Sequence, residues 1–272
     1  MKKIMKPENY SNFVLIKMIN KAKKSYGQHF LIQQKIIDRI ANTILHEKFA
    51  NVLEIGPGKA ALTKQLLGKI DQFLAVEADK DMIEFLHNLY PLNKDVFIQA
   101  DFLKLNLDLL FSGESFLLCG NFPYNISSQI VFKAIQHSDR IPVLIGMFQK
   151  EMAQRIISKP GSKDYGIISA ISSLYYSGKI EFDIGPGNFN PPPKVVSSVL
   201  ILKRNKIEMS EDEKKRTRLL IKSSFQFRRK TLRNNLKSLI KDQDIIADKY
   251  FDQRPEDIAP LEYLRLSREL NY

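Results

Sequence analysis

The stretch Val52-Leu53-Glu54-Ile55-Gly56-Pro57-Gly58 carries an apolar run directly into a glycine turn, and a helix-like pattern follows from Ala61 to Leu67. A short apolar run closed by glycine predicts a buried strand, and glycine lets the backbone after it approach a ligand closely. The helix beyond offers its N-terminal amides to the same place. Further short apolar runs lie outward of this one: Phe73 to Val76, Val96 to Ile98, Phe116 to Cys119 and Val143 to Ile145. Helical patterns such as Met82 to Asn88 separate them. Upstream, Ile36, Ile37, Ile40, Ala41, Ile44 and Leu45 mark an amphipathic helix. This alternation predicts an α/β fold with a mostly parallel sheet covered by helices on both faces.

The pattern changes after Gly178. Lys179 to Ile184 and Val195 to Leu202 read as two strands with no helix between them, so they are expected to pair as an antiparallel edge. From about residue 205 the pattern is helical throughout. Ser210 with Glu213 three residues on is a capping box, and later helices are expected over 228–240 and 260–270. The division expected from these shifts is a basic N-terminal arm over 1–24, an α/β domain over 25–204 and a helical domain over 205–272.

Two acids extend the reading of the glycine turn. Glu77 ends the next strand about twenty residues beyond it, where a carboxylate can hold both ribose hydroxyls. Asp101 follows the third strand and can accept from an adenine amino group. The turn is not a nucleotide P-loop, because Gly58-Lys59 is followed by Ala60, and Ala61 takes the third position of the dinucleotide pattern. Turn, Glu77 and Asp101 in register predict a nucleoside site at the carboxyl ends of the strands.

The fourth strand leads into Gly120-Asn121-Phe122-Pro123-Tyr124-Asn125. An adenine N6 amine is a poor nucleophile, because its lone pair is delocalised into the ring. Acceptors aimed at its two N–H groups favour a pyramidal nitrogen. The Asn121 side-chain oxygen and a backbone carbonyl at Phe122 or Pro123 can supply them, Pro123 fixes the loop, and Tyr124 offers a stacking ring. Catalysis would then rest on positioning and electrostatics, with no metal. Phe189, before Pro191-Pro192-Pro193, is either a second stacking ring or a core phenylalanine. A base held this way must be out of its stack, which implies a single-stranded or flipped substrate.

Composition narrows the partner. The chain of 272 residues has 42 Lys and Arg against 30 Asp and Glu, a formal net charge of +12 that points to a polyanion. From Lys214 to Lys241 the basic residues, including Arg228, Arg229, Lys230 and Arg233, come without one intervening acid. Such a one-signed run beside Phe225 and Phe227 suits phosphates of folded RNA better than a membrane surface. Cys119 is the single cysteine, which excludes a disulfide framework or a cysteine-rich metal site. There is no secretory signal pattern and no membrane-length apolar stretch, so a cytoplasmic setting is expected, with a monomer as the default.

At these residues the chain resembles the small-subunit ribosomal RNA adenine dimethyltransferase family (KsgA type). The resemblance runs from Lys24 onward. It rests on Tyr26 to Leu31, the Glu54 to Gly58 turn, Asn121 to Ser127, Gln149-Lys150-Glu151, Phe189 with Pro191 to Val195, and Phe227 to Arg233. It implies a seven-stranded Rossmann-like methyltransferase domain with a small helical C-terminal domain. S-adenosylmethionine would be the methyl donor and S-adenosylhomocysteine the product. The substrate implied is a pair of adjacent adenines near the 3′ end of 16S rRNA in the 30S subunit or its precursor. By resemblance, His29, Leu31, Gly56, Glu77, Asp101 and Asn121 contact the cofactor, while Tyr124 and Phe189 flank the base. One departure is His29, which stands where many relatives have Asn. A backbone contact there changes little, whereas a side-chain contact would alter cofactor affinity.

Erythromycin-resistance methylases share the Asn-x-Pro-Tyr turn but act on large-subunit RNA, and the Phe227 to Arg233 stretch argues for the small subunit. DNA adenine methylases fit the C-terminal segment less well. A non-catalytic assembly factor would be expected to have lost Glu77, Asp101, Asn121 or Tyr124, and all four are present.

Overall fold

The computed structural model describes residues 28–270 and residue 272. The expected N-terminal arm, with Tyr26 and Gly27, lies outside the described residues. A seven-stranded sheet has the order β4-β3-β2-β5-β6-β9-β7. Its strands are β2 (Asn51–Ile55), β3 (Gln72–Glu77), β4 (Phe97–Gln99), β5 (Leu117–Asn121), β6 (Val143–Gln149), β7 (Tyr176–Ile184) and β9 (Ser197–Arg204). From β4 through β6 every pairing is parallel, as the alternation predicts. The central β2 and β5 are buried along nearly their whole length, which is why they read as continuous apolar runs. Between β9 and β7, Asn205 bonds Tyr175, Ser177 bonds Lys203 and Ser198 bonds Asp183, the falling register of an antiparallel pair. A separate two-stranded ladder joins β1 (Phe30–Leu31) to β8 (Phe189–Asn190), with Leu31 opposite Phe189. The proline-rich loop is thereby tied to the start of the described chain.

Compactness divides the chain into two units, residues 1–150 with 181–200, and residues 151–180 with 201–272. The division passes through β7 and β9 rather than at residue 204, where the sequence pattern turns helical. In the first unit, α1 (Gln34–His46) buries Ile37, Ile40, Ala41 and Ile44 at helical spacing. The following α2 (Thr63–Leu66) is one short turn, less than the Ala61 to Leu67 pattern suggests, because Ala60 to Leu62 are still leaving the glycine turn and Ala60 has φ +64°. Asp79 caps α3 (Lys80–Leu89) through the Asp81 N–H at 3.1 Å. After β5 comes α4 (Ser127–Gln136), and the loop between them carries Asn121 to Tyr124.

The second unit is built on α5 (Lys150–Ile156), α6 (Ile167–Tyr175), α7 (Glu211–Ser224), α8 (Leu232–Leu236), α9 (Gln243–Ala247) and α10 (Pro260–Glu269). Ser210 and Glu213 form the expected capping box at the start of α7, with bonds of 3.2 and 2.7 Å. Tyr165, Phe225 and Tyr263 make a buried aromatic cluster, and the two phenols are satisfied by the carbonyls of Ile258 and Pro255. The helix expected over 228–240 is a correction. Residues Gln226 to Lys230 form a turn, Thr231 caps the next helix by accepting from the Asn234 N–H, and only Leu232–Leu236 is helical. A cap at Thr231 and buried Leu232 and Leu236 fix the start, so the basic residues before it sit on a turn.

Candidate active site

The carboxyl ends of β2, β3, β4 and β5 open onto a cavity of about 540 Å³, within the size range of a nucleoside-binding pocket. Gly56 and Gly58 line it with φ of +67° and +52°, the left-handed region that favours glycine. A Cβ on Gly58 would stand 2.9 Å from the Phe30 ring, so that position also needs the missing side chain. Glu77 is 7% exposed and lines the same space. Its two oxygens accept from the N–H groups of Gly58 at 3.2 Å and Asp79 at 3.0 Å, locking the turn to β3. Burial pushes the Glu77 carboxyl up from its ordinary range, and those two N–H groups pull it part of the way back. Asp101 lies across the cavity with one oxygen on the Leu103 N–H at 2.9 Å.

Asn121, at the end of β5, donates its side-chain N–H to the His29 carbonyl at 2.7 Å. A carbonyl can only accept, so this bond decides which end of the amide is which and leaves Oδ1 as the acceptor. Phe122 is the anchor of the loop, 1% exposed, and edge-on to Phe148 at 5.2 Å. Its ring lies over Gly146, where a Cβ would stand 2.1 Å away. The Pro123 carbonyl accepts from Ile126 N–H at 3.2 Å and turns the chain into α4. The Tyr124 hydroxyl is bonded to the Ser197 hydroxyl at 2.6 Å, and burial pushes the phenol up, keeping it neutral.

His29 touches three parts of this arrangement. Its backbone holds Asn121, its ring stacks on Tyr124 with centroids 5.6 Å apart, and its Nδ1 is 2.8 Å from the Pro191 carbonyl. Because Pro191 offers only an acceptor, Nδ1 carries the proton. Of the two contacts left open for His29, the backbone one falls on Asn121 and the imidazole goes to the proline loop.

Of the expected residues, His29, Gly56, Glu77, Asp101, Asn121, Pro123 and Tyr124 share the cavity wall. Leu31 and Phe189 do not. Leu31 is buried against a much smaller neighbouring hollow, and Phe189 is 2% exposed, opposite it in the β1–β8 ladder. The core reading of Phe189 is the one its packing matches. Two contributors escaped the sequence reading. Lys133 on α4 is 9% exposed and donates to the carbonyls of Phe102, Leu103 and Leu105 at 2.6, 3.0 and 2.6 Å, holding the loop that bears Asp101. Ser197 holds Tyr124.

In the second unit, Arg228, Arg229 and Lys230 are exposed on the Gln226 to Lys230 turn. Arg228 donates to the Lys163 carbonyl. Arg233 is committed elsewhere, to Asp252 at 2.7 Å and to the carbonyls of Ala247 and Asp248.

Known proteins agree with this geometry. A solved dimethyladenosine transferase of Plasmodium falciparum superposes with a TM-score of 0.71 at 24% identity, covering 89% of this chain and 97% of its own. The 23S rRNA methyltransferase ErmE gives 0.63 at 23% identity, with 89% and 100% covered. These likenesses concern the fold, which is that of class I methyltransferases. Sequence relatives are closer. The ribosomal RNA small subunit methyltransferase A of Flavobacterium johnsoniae is 43% identical over 250 residues, 92% of this chain and 96% of its own. That of Bacteroides thetaiotaomicron is 42% identical over 251 residues, covering 92% and 94%. The family model described as ribosomal RNA adenine dimethylase matches residues 19–268, and with the glycine turn, the acids and the Asn121 to Tyr124 loop all inside that span, the chain belongs to this family.

Proposed function

We propose that this enzyme dimethylates N6 of two adjacent adenines near the 3′ end of 16S rRNA, acting in the cytoplasm as a monomer on the 30S subunit or its precursor, late in subunit biogenesis. The observation that carries the reading is the fixed amide of Asn121. Its nitrogen is committed to His29, so its oxygen is the acceptor on the wall shared with Glu77 and Asp101.

The cavity fits S-adenosylmethionine in size and in its donor and acceptor set. Gly56 and Gly58 leave room for close backbone approach, Glu77 suits a ribose diol, and Asp101 with the Lys133-held loop suits an adenine edge. When bound, that cofactor supplies an electrophilic methyl group. The work of the chain is to place the target amine. Asn121 Oδ1 accepts one N–H. The Pro123 carbonyl is already used by Ile126, which assigns the second acceptor to the Phe122 carbonyl. Tyr124, held by Ser197, offers the ring on which the base stacks. These groups are preset by packing, so little reorganisation accompanies the transfer. No strong base is needed, because the amine becomes acidic once alkylated.

Asn121→Ala removes the acceptor and leaves the glycine turn and Glu77 in place. Methyl transfer to immature small-subunit particles should fall by at least about 100-fold, the scale seen on removing one preset hydrogen-bonding group. Cofactor binding measured by calorimetry should change little. Full activity in that variant would contradict the mechanism.

A further inference from the structure

Phe227 is 58% exposed, and among the described residues no other aromatic side chain is classed as exposed. Its neighbour Phe225 is buried in the Tyr165–Tyr263 cluster, so the run does contain a core aromatic, and Phe227 is not it. The backbone that bears Phe227 is held tightly. The Asn235 side chain, 3% exposed, accepts from the Phe227 N–H at 3.0 Å. It donates to the Phe227 carbonyl at 3.1 Å and to the Lys230 carbonyl at 3.3 Å. A buried amide that spends every one of these bonds on a single turn presents its tip in one orientation. Next to the ring on that tip stand the exposed Arg228, Arg229 and Lys230.

We propose that Phe227 is a nucleobase-stacking site, on which an unpaired base of the RNA substrate lies while the adjoining cations hold its phosphates. A fixed aromatic beside a row of cations is the arrangement by which proteins hold single-stranded nucleic acid, since every base has a face to stack. A membrane surface fits less well, because the ring stands alone on a turn rather than on an apolar helix face. The inference rests on the RNA substrate proposed above and adds a contact to it, remote in sequence from the residues of the methyl-transfer cavity.

The two kinds of contact separate by salt. Stacking is nearly independent of ionic strength, whereas phosphate contacts release counterions and set the slope of log affinity against log salt. Binding of the full chain to naked 16S rRNA and to immature 30S particles is measured across a salt series for wild type, Phe227→Ala, Phe227→Trp and the pair Arg229→Ala with Lys230→Ala. Phe227→Ala should weaken both complexes about fivefold or more without changing the slope, and Phe227→Trp should restore affinity. Its melting temperature should match wild type, because the ring is exposed. The Arg229/Lys230 pair should flatten the slope instead. Wild-type affinity in Phe227→Ala overturns the proposal, and so does a loss confined to particles, which would mean that the ring meets a protein. If the Arg229/Lys230 pair also leaves the slope unchanged, the RNA surface lies elsewhere and the broader reading of this turn falls with it.

Discussion

Glu54 lies in the middle of β2, 1% exposed, and takes a hydrogen bond of 2.6 Å from the Thr63 hydroxyl. Burial raises its carboxyl to about 8 from an ordinary 4.5, against the opposing pull of Thr63. The folded chain therefore holds a proton that the unfolded chain has already lost between those two values. Stability from this group is greatest at low pH, falls as pH rises from about 4.5 to about 8, and levels off above. Glu54→Gln keeps an acceptor for Thr63 and has no proton to lose. Urea unfolding of wild type should show a lower midpoint at pH 8 than at pH 5, and the variant should lose most of that drop. Equal pH dependence in the two proteins would mean that Glu54 is ionised in the fold. The glycine turn, Glu77 and Asp101 were legible from sequence because each follows an apolar run at a strand end. Lys133 was not, since it reads as an ordinary helix-surface lysine and its carbonyl partners begin 31 residues away at Phe102.

At the scale of elements, the loop after β5 is set by packing beneath it. Phe122 fills the space that Gly146 on β6 leaves, and Tyr124 is tied to Ser197 at the start of β9. Gly146→Ala would put a methyl group into the Phe122 ring. Overpacking of this kind costs about 1–3 kcal/mol, and here it also moves the residue beside Asn121. Thermal unfolding and methyl transfer should both suffer, and adding Phe122→Leu to make room should recover part of the stability. A Gly146→Ala protein with wild-type melting and activity would show that the loop is not anchored there. Sequence reading gave the strands of the sheet nearly in full, because runs such as Leu117 to Cys119 are buried on both faces. It overextended the helix at 228–240, because basic residues suit a helix and the Asn235 pin that shapes the turn is a contact made after folding. The proline loop had the same difficulty. Phe189 could be a ring for the base or for the core until its pairing with Leu31 was visible.

For the whole molecule, the net charge of +12 and the family together tie the chemistry to a polyanionic substrate. The cavity belongs to the first unit and the cationic turn to the second, a separation of tasks in which one part fixes the amine and the other reads the RNA around it. The family was legible from short motifs because they mark backbone turns and stacking rings that the chemistry requires. Which RNA is modified is a property of the complete enzyme acting on a complete particle. The measurement that bears on it most directly is transfer from labelled S-adenosylmethionine to separately purified immature 30S and 50S particles, with the modified nucleotides then mapped. The account predicts N6,N6-dimethyladenine at two adjacent positions near the 3′ end of the small-subunit RNA and none in the large-subunit RNA. Label confined to large-subunit RNA, or absent from adenine N6, would contradict it.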